Sequence, residues 1–283
     1  MSSVARPGAE APPILSDLRD GVLVVTLNRP ERLNASTPEL LRLYTETLLA
    51  AADDARVRVI VVTGAGRGFC AGADTGVLGQ LADGAPRPAK LRRHWFVTEI
   101  PKPVIAAING PCVGVGFVMA MMCDMRFAAD TATVGPVFAK LGLPAENGLA
   151  WILPRVVGYA RAFEVLNSGK LYAGEELLRL GLANGVVPAQ DLLRHTMEIA
   201  TAMARNCSPR SFATMKAQLH QGFHTGLREA DRLSEQVVQK CLAADDFKEA
   251  MRSRKEKRPP AFAPLPADRA DWWPAGEKFP SES

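Results

Sequence analysis

Short runs of β-branched and apolar residues alternate with helical spacing along the first half of the chain. The run GVLVVTLN (21–28) ends at an Asn-Arg-Pro turn, and VRVIVVT (57–63) ends at a glycine-rich segment. A third run (103–108) ends at Asn109 and Gly110. Runs of this length and composition predict buried β-strands. Strands that alternate with helices predict an α/β core whose loops collect at one edge of the sheet.

Helical spacing follows the first of these strands and dominates the second half of the chain. Pro38 takes the first helical position after Thr37, and apolar residues then recur three or four positions apart. From about position 188 the pattern is helical, with clear stretches at 195–205 and 227–242. The chain therefore divides into four predicted parts: a disordered lead (1–14), a core (15–187), a helical lobe (188–258), and a tail rich in Pro and Trp (259–283). We expect the tail to be either disordered or docked on a neighbouring subunit.

The composition narrows the class of protein. With 47% hydrophobic residues among 283, the chain is able to bury a large core, so an ordinary enzyme is expected. The net charge of +4 is too small and too evenly spread to indicate nucleic acid binding. Five cysteines without a C-x-x-C pair predict a reducing, cytoplasmic setting. The most apolar run is about half of the ~20 residues that cross a bilayer, so no membrane contact is expected.

Two glycine-rich segments follow the second and third predicted strands. In GAGRGFCAGAD (64–74), small residues allow main-chain N–H groups to approach a ligand carbonyl oxygen. In NGPCVGVGFVMAMMCD (109–124), Gly114 and Gly116 at the start of an apolar helix leave N–H groups free for developing negative charge. Two such turns are able to face one oxygen. The alternatives are a tight strand-to-helix turn without a ligand and close packing of the helix on the sheet.

Four segments resemble the successive signatures of the crotonase (enoyl-CoA hydratase/isomerase) superfamily. They are NRPERLNA (28–35), GRGFCAGAD (66–74), IPKPVIAAINGPCVGVG (100–116) and KRPPAF (257–262). They occur in the family's order, and the resemblance spans roughly residues 15–262. It implies an α/β fold, a spiral of ββα units, with an α-helical C-terminal lobe used in trimerisation. A homotrimer or homohexamer is expected.

The resemblance also implies a site for an acyl-CoA thioester. Its carbonyl oxygen is expected to accept from the main-chain N–H groups of Ala73 and Val115, where Val115 replaces a common family glycine. Further substrate-binding residues implied in this way are Arg32, Leu33, Ala71, Gly72, Asp74 and Gly114, with Lys257 at the CoA phosphate. For Lys257 the alternative is one solvated charge in a basic run. Because CoA is part of the substrate, no separate cofactor and no metal are expected.

The number of carboxylates distinguishes the possible reactions. Typical hydratases of the family use two glutamates, and the matching positions here are Val118 and Phe138, which instead suggest an apolar acyl pocket. Glu146, in GLPAENGLAWILPRVVG (142–158), resembles the acidic residue of dienoyl-CoA isomerases and of the phenylacetate-pathway isomerase. A single base suits a double-bond shift, so we predict an isomerase with Glu146 as the base. The alternative role for Glu146 is an acid that stabilises a helix N-terminus.

Two other functions stay open. One is a hydratase in which Glu146 or a bound water replaces the missing glutamates. The other is a non-catalytic acyl-CoA binding or scaffold subunit.

Weaker candidates lie outside these segments. His220 and His224, four positions apart, are able to share a helix face, but without a third ligand nearby a surface pair is favoured over a metal site. His94 is favoured as a packing residue, as are Cys70 and Cys112, which have no adjacent histidine. Residues 75–95 carry Gly, Pro and mixed charge, which predicts a mobile loop and helix able to cover a ligand rather than core.

Overall fold

The computed structural model describes residues 11–86 and 92–274. Its strands are β1 Ile14–Arg19, β2 Val22–Leu27, β3 Val59–Gly64, β4 Val104–Ile108, β5 Cys112–Val113, β6 Met125–Ala129, β7 Thr133–Gly135, β8 Tyr172–Ala173 and β9 Gly185–Val187. Its α-helices are α1 Pro38–Asp53, α2 Thr75–Ala82, α3 Val115–Met121, α4 Leu149–Val157, α5 Tyr159–Asn167, α6 Glu175–Leu180, α7 Leu192–Asn206, α8 Pro209–Gly222, α9 Leu227–Ala243 and α10 Asp245–Glu256. Short 3-10 turns include Pro30–Arg32, His94–Glu99 and Phe138–Leu141.

A six-stranded sheet forms the centre of the fold. Its strand order is β1-β2-β3-β4-β6-β9, with β1 antiparallel to β2 and the other neighbours parallel. All five residues of β4 and the first five of β3 are buried, as expected for parallel strands covered on both faces. The carboxyl ends of β3 and β4 meet at one edge, so the two glycine-rich segments begin side by side. A second sheet of order β5-β7-β8 lies beyond this edge.

The three strands predicted from apolar runs are present as β2, β3 and β4, and the α/β class is confirmed. The sequence patterns did not reveal β1, because its exposed positions include Ser16 and Asp17. They also missed β6, which reads MRFAA and contains no β-branched residue. The strands of the second sheet are only two or three residues long, too short for any periodicity to appear.

Helices α1 and α7 cover parts of the main sheet. The α1 helix begins after Thr37, whose side chain accepts from the Leu40 N–H at 3.2 Å, and Pro38 occupies its first position as predicted. Its buried face carries Leu40, Tyr44 and Leu48, four positions apart, against β1 and β2. The α7 helix, the first after position 188, packs across β2, β3, β4 and β6.

The last helices and the tail share a smaller apolar cluster of their own. It contains Ala213 and Ala217 of α8, Leu233 and Val237 of α9, and Trp272 and Trp273 of the tail. The two tryptophans are 4% and 2% exposed. The tail is therefore ordered up to residue 274, where both indole rings are buried against their own chain's helices, and docking on another subunit stays a prediction.

The predicted disordered lead and covering segment are only partly described. Residues 1–10 lie outside the described range, whereas Pro13 accepts from the Asn28 N–H at 2.7 Å and β1 begins at Ile14. Within the predicted covering segment (75–95), residues 87–91 lie outside the ranges that the structure describes. At its end His94 is buried, at 6% exposed, whereas Trp95 is 42% exposed. Within the described ranges, no helix has the length and apolar character required to traverse a bilayer.

Candidate active site

Two asparagine side chains hold the loop that follows β3. Asn34 is fully buried, and its amide nitrogen donates to the carbonyl oxygens of Ala65 and Gly68 at 3.0 and 2.7 Å. Asn109, directly after β4, accepts from the Gly64 N–H at 3.1 Å and donates to the Gly64 carbonyl at 2.9 Å. Because buried main-chain groups need partners, these side chains fix the path of a loop that lies outside the sheet's ladder.

Two glycines stand where a side chain has no room. A Cβ atom on Gly64 would lie 2.0 Å from the carbonyl oxygen of Gly68. On Gly116, in the first turn of α3, it would lie 2.2 Å from the carbonyl oxygen of Cys70. The α3 helix therefore rests its first turn directly on the backbone of the loop after β3, which is the close packing considered as an alternative role for this segment.

Ala73 lies in a short extended stretch beside Ser36. The Ser36 N–H donates to the Gly72 carbonyl at 2.8 Å, and the Asp74 N–H donates to the Ser36 carbonyl at 3.0 Å. Because successive N–H groups of an extended segment point to opposite sides, the Ala73 N–H faces away from Ser36. It makes no hydrogen bond with another residue in the described ranges.

Val115 is the first residue of α3, and its N–H also makes no hydrogen bond within the described parts of the chain. This is expected at a helix start, where the first N–H groups have no partner inside the helix. Gly114 precedes it with φ +56° and ψ −117°, a conformation that favours glycine. A Cβ on Gly114 would lie 3.8 Å from the Gly72 Cα, so the segments that carry Ala73 and Val115 lie side by side.

Val118 and Phe138, the positions that the sequence resemblance matched to the two hydratase glutamates, are both buried. Val118 has no exposed surface and belongs to the main hydrophobic core, and Phe138 is 5% exposed. Contact between Val118 and an acyl group would therefore require its neighbours in the core to move aside. Neither residue carries a group that exchanges protons.

Glu146 lies in the loop between the Phe138–Leu141 turn and α4. Its carbonyl oxygen accepts from the Leu149 N–H at 3.0 Å, and the residue is partly buried. Asn147 and Gly148 follow with φ of +54° and +82°. Glu146 therefore precedes Gly148, the N-cap of α4, by two positions.

A cavity of about 220 Å³ opens beside this loop. Gly148 forms part of its wall, two positions after Glu146, and Met122 forms another part at the end of α3. The remaining wall is largely aromatic and comes from three separate elements: Trp95, Trp151, His220 and His224. This cavity was not predicted from the sequence, because its residues lie far apart along the chain.

Known proteins match this chain over most of its length. Residues 17–264 match the family model described as enoyl-CoA hydratase/isomerase. The chain belongs to the enoyl-CoA hydratase/isomerase family. The resemblance predicted from the four sequence segments is therefore confirmed.

Curated and solved members of the family support this assignment. The probable enoyl-CoA hydratase EchA12 of Mycobacterium tuberculosis is 36% identical over 258 residues, which cover 86% of this chain and 90% of the relative. The mevalonyl-coenzyme A hydratase sidH of Aspergillus fumigatus is 37% identical over 258 residues, covering 86% and 92%. The crystal structure of a probable enoyl-CoA hydratase/isomerase from Mycobacterium abscessus has a TM-score of 0.83 and 30% identity, covering 89% of this chain and 99% of that chain.

An ion pair joins two of the family's sequence segments. The Arg29 guanidinium lies 3.1 Å from Asp74 Oδ2, and Asp74 Oδ1 accepts from the Gly76 N–H at 3.0 Å. That N–H and the Arg29 guanidinium hold the pKa of the Asp74 carboxyl below its usual value. Sequence reasoning assigned Asp74 to CoA and missed Arg29, whose role here is to hold the Asp74 loop against the turn that carries Arg32 and Leu33. Arg32 is exposed and Leu33 is half-buried.

Lys257 lies at the end of α10, exposed and in a left-handed conformation with φ +53°. The following residues run toward the amino end of the main sheet, where the Arg58 guanidinium donates to the Phe262 carbonyl. Ala73 and Val115 lie at the carboxyl end. Within the described residues of one chain, no contact joins Lys257 to the segment at 71–74.

The remaining chemical candidates fall into two groups. Cys70 and Cys112 are fully buried, and burial raises the pKa of the Cys70 thiol to about 11, as expected for packing residues. His94 is also buried, and this lowers its pKa to about 4. His220 is half-buried and His224 is exposed, and both line the wall of the cavity. Across residues 11–86 and 92–274, no group of three or more His, Cys, Asp or Glu is placed to hold a metal ion.

Proposed function

We propose that this enzyme shifts a double bond in an enoyl-CoA ester, with Glu146 as the base. The observation that carries the proposal is the apolar identity and burial of Val118 and Phe138, which leaves the family's two-glutamate hydration without its acid and base. Glu146 lies in the same loop as Phe138 and next to an aromatic cavity. No cofactor beyond the CoA of the substrate takes part, and a cytoplasmic setting belongs to the proposal.

The thioester oxygen accepts from the N–H groups of Ala73 and Val115. Support comes from the two adjoining glycine-rich segments and from the absence of another hydrogen-bond acceptor for either N–H group within the described residues. Rigid main-chain donors stabilise negative charge on an enolate oxygen without reorganising during the reaction. Replacement of a family glycine by Val115 leaves the main-chain donor in place.

The reaction moves one proton between two carbons. Glu146 removes a proton from the α carbon of a 3-enoyl-CoA, and the electrons of that bond form a dienolate whose oxygen carries the charge. The same carboxyl returns the proton to the γ carbon, so the double bond moves to the α,β position and no atom is gained or lost. A second acid is not needed, in agreement with the residues at positions 118 and 138.

CoA lies along Arg32 and Leu33 and beside residues 71–74. The Arg29–Asp74 pair supports this placement because it holds the two segments together. Gly72 and Gly114 allow close approach of the backbone. Lys257 binds a CoA phosphate, and its position toward the other end of the sheet means that it serves a neighbouring subunit of the proposed trimer.

The second candidate is a hydratase, which the names of the related proteins favour. The enzyme from Mycobacterium tuberculosis is named as a probable enoyl-CoA hydratase and the one from Aspergillus fumigatus as a mevalonyl-coenzyme A hydratase. In this version Glu146 or a bound water activates the water that attacks the β carbon.

One experiment distinguishes the candidates. The protein is incubated with 3-hexenoyl-CoA and, separately, with crotonyl-CoA in deuterated buffer, and both mixtures are followed by mass spectrometry and NMR. Deuterium at the α or γ carbon together with conjugated 2-enoyl product supports the isomerase. Formation of 3-hydroxyacyl-CoA from crotonyl-CoA without isomerisation of the other ester supports the hydratase and contradicts our proposal.

A further inference from the structure

The cavity beside Glu146 has a polar wall that the proposed double-bond shift does not use. His220 lies in the last turn of α8 and His224 in the turn just after that helix, and both line this cavity. The His224 ring stacks on Trp151, with ring centroids 5.3 Å apart and an interplanar angle of 21°. His220 meets Phe223 edge to face at 5.8 Å. These aromatic contacts orient two imidazole rings at a small cavity whose other polar side chain, Thr98, donates its hydroxyl to the Trp95 carbonyl.

The charge state of His220 decides which ligand group suits this wall. Burial, and then the nearby Lys216 ammonium, lower the pKa of His220, while Asp124 opposes this and His224 adds to it. An imidazole that is neutral at pH 7 has one nitrogen that donates and one that accepts. A hydroxyl group also donates and accepts, so it matches this wall better than a methyl group, which satisfies neither nitrogen.

The distance along α3 places the cavity at the far end of an acyl chain. Val115 begins this helix and Met122, its C-cap, forms part of the cavity wall, so at 1.5 Å per residue the two lie about 10 Å apart along the axis. Gly148, two positions after Glu146, lines the cavity beside Met122, since a Cβ on it would lie 3.7 Å from the Met122 methyl carbon. A thioester held at Ala73 and Val115 therefore needs a chain of about this length to reach the histidines.

We propose that His220 and His224 select acyl-CoA substrates that carry a hydroxyl group near the end of the acyl chain. This inference rests on the proposed function, because that function places the thioester at Ala73 and Val115. The two histidines are specificity residues and take no part in the proton transfer. Trp95 and Trp151 bind the apolar part of the chain.

Binding to the full-length Glu146→Gln variant tests the inference without turnover. Dissociation constants are measured by calorimetry for 3-octenoyl-CoA and for its 8-hydroxy and terminal carboxy derivatives. We expect the 8-hydroxy ester to bind about fivefold to tenfold more tightly than the unsubstituted ester, as one or two neutral hydrogen bonds allow. Adding His220→Leu and His224→Leu should abolish this preference. Adding His195→Leu, which removes an imidazole that packs on Phe127 away from the cavity, should preserve it.

The possible outcomes separate this inference from the proposed function. Equal binding of the hydroxy and unsubstituted esters, or tighter binding of the carboxy ester, overturns the inference while isomerisation in deuterated buffer still supports the function. Failure of every ester to bind overturns both. If the double leucine variant does not fold, His224→Phe at an exposed position replaces it, and an unchanged preference in that variant also overturns the inference.

Discussion

The Lys216 ammonium donates to the Asp124 carboxylate at 2.8 Å and thereby ties α8 to the end of α3. The same ammonium donates to the carbonyl oxygens of Val97 and Lys102 at 3.0 and 3.2 Å. Its side chain is 9% exposed and that of Asp124 is 25% exposed. Since α8 carries His220 and leads directly into His224, this contact sets the position of the cavity wall relative to the end of α3.

Removing this contact should weaken the fold. In Lys216→Met the Asp124 carboxylate loses its cationic partner but keeps the Val104 N–H, and two carbonyl groups lose the ammonium donor, so we expect a loss of about 2–3 kcal/mol in the free energy of unfolding. Urea denaturation followed by circular dichroism measures it. Lys248→Met is the matched control, because its pair with Asp245 is exposed to solvent and should contribute little to stability. Equal losses in the two variants would contradict a tethering role for Lys216.

Replacing Glu146 should abolish turnover and preserve binding. Glu146→Gln keeps the shape of the side chain but cannot take a proton, so we expect kcat for the 3-enoyl-CoA to fall by a factor of about 10²–10⁴. The dissociation constant of the CoA ester should change less than threefold, within about 0.6 kcal/mol. Glu164→Gln, at an exposed position on α5, serves as the control and should behave as wild type. Wild-type turnover in Glu146→Gln would remove this residue from the mechanism.

Adding one methyl group should test the contact between α3 and the loop after β3. In Gly116→Ala the new Cβ meets the Cys70 carbonyl at 2.2 Å, so the two segments must separate. We expect a loss of about 1–3 kcal/mol in stability and a lower kcat, because the Val115 N–H moves with the helix. Gly79→Ala in α2 meets no atom within 4 Å and should be neutral or stabilising by up to about 1 kcal/mol. A fully active Gly116→Ala enzyme would argue against the oxyanion site.

Burial of His94 should make the fold sensitive to mild acid. Burial lowers its pKa from 6.5 to about 4, and its Nδ1 makes no hydrogen bond within the described structure. The unfolded chain therefore binds this proton at a higher pH than the folded chain, and stability falls as the pH drops from about 6.5 toward 4. This difference in pKa between the folded and unfolded chain corresponds to about 3 kcal/mol in the free energy of unfolding. Across this pH range the free energy of unfolding should change less for His94→Leu than for wild type. An equal pH dependence in the two proteins would refute the assignment.

Lys257 should contribute to affinity only through charge. We expect Lys257→Ala to raise the dissociation constant of a CoA ester about fivefold at low salt, and much less at 1 M salt, where the Debye length is about 3 Å. The same substitution should not affect binding of a pantetheine ester, which lacks the nucleotide phosphates. Lys255→Ala, in the same basic run, is the control. A similar loss of affinity for the CoA ester and the pantetheine ester in Lys257→Ala would indicate a structural effect.

The sequence predicted the parts of the fold that depend on local pattern. β3 and β4 were found within two residues of their ends because burial on both faces requires continuous apolar runs. The contacts that shape the site are not local. Asn34 reaches Gly68 across 34 positions, and Asn109 reaches Gly64 across 45. Both asparagines lie in segments that were recognised as motifs, but their partners could not be read from either segment alone.

The family resemblance supplied the candidate residues, and the structure added their surroundings. Glu146 was identified from its place in a motif, whereas the cavity next to it combines Trp95, Trp151, His220 and His224, which no single stretch of sequence links. Spacing alone suggested that His220 and His224 share a helix face, but α8 ends at Gly222 and His224 lies in the turn that follows. Tail burial was likewise missed, because the sequence around Trp272 and Trp273 is polar and rich in proline.

The four tryptophans give this protein two separate optical reporters. Trp95 and Trp151 line the cavity next to Gly148, while Trp272 and Trp273 are packed in the cluster formed by α8, α9 and the tail. Entry of an acyl chain changes the emission of the first pair, whereas detachment of the tail exposes the second pair to water and shifts its emission to longer wavelength. Two variants, each keeping only one of these tryptophan pairs, therefore allow fluorescence to distinguish substrate entry from loosening of the tail.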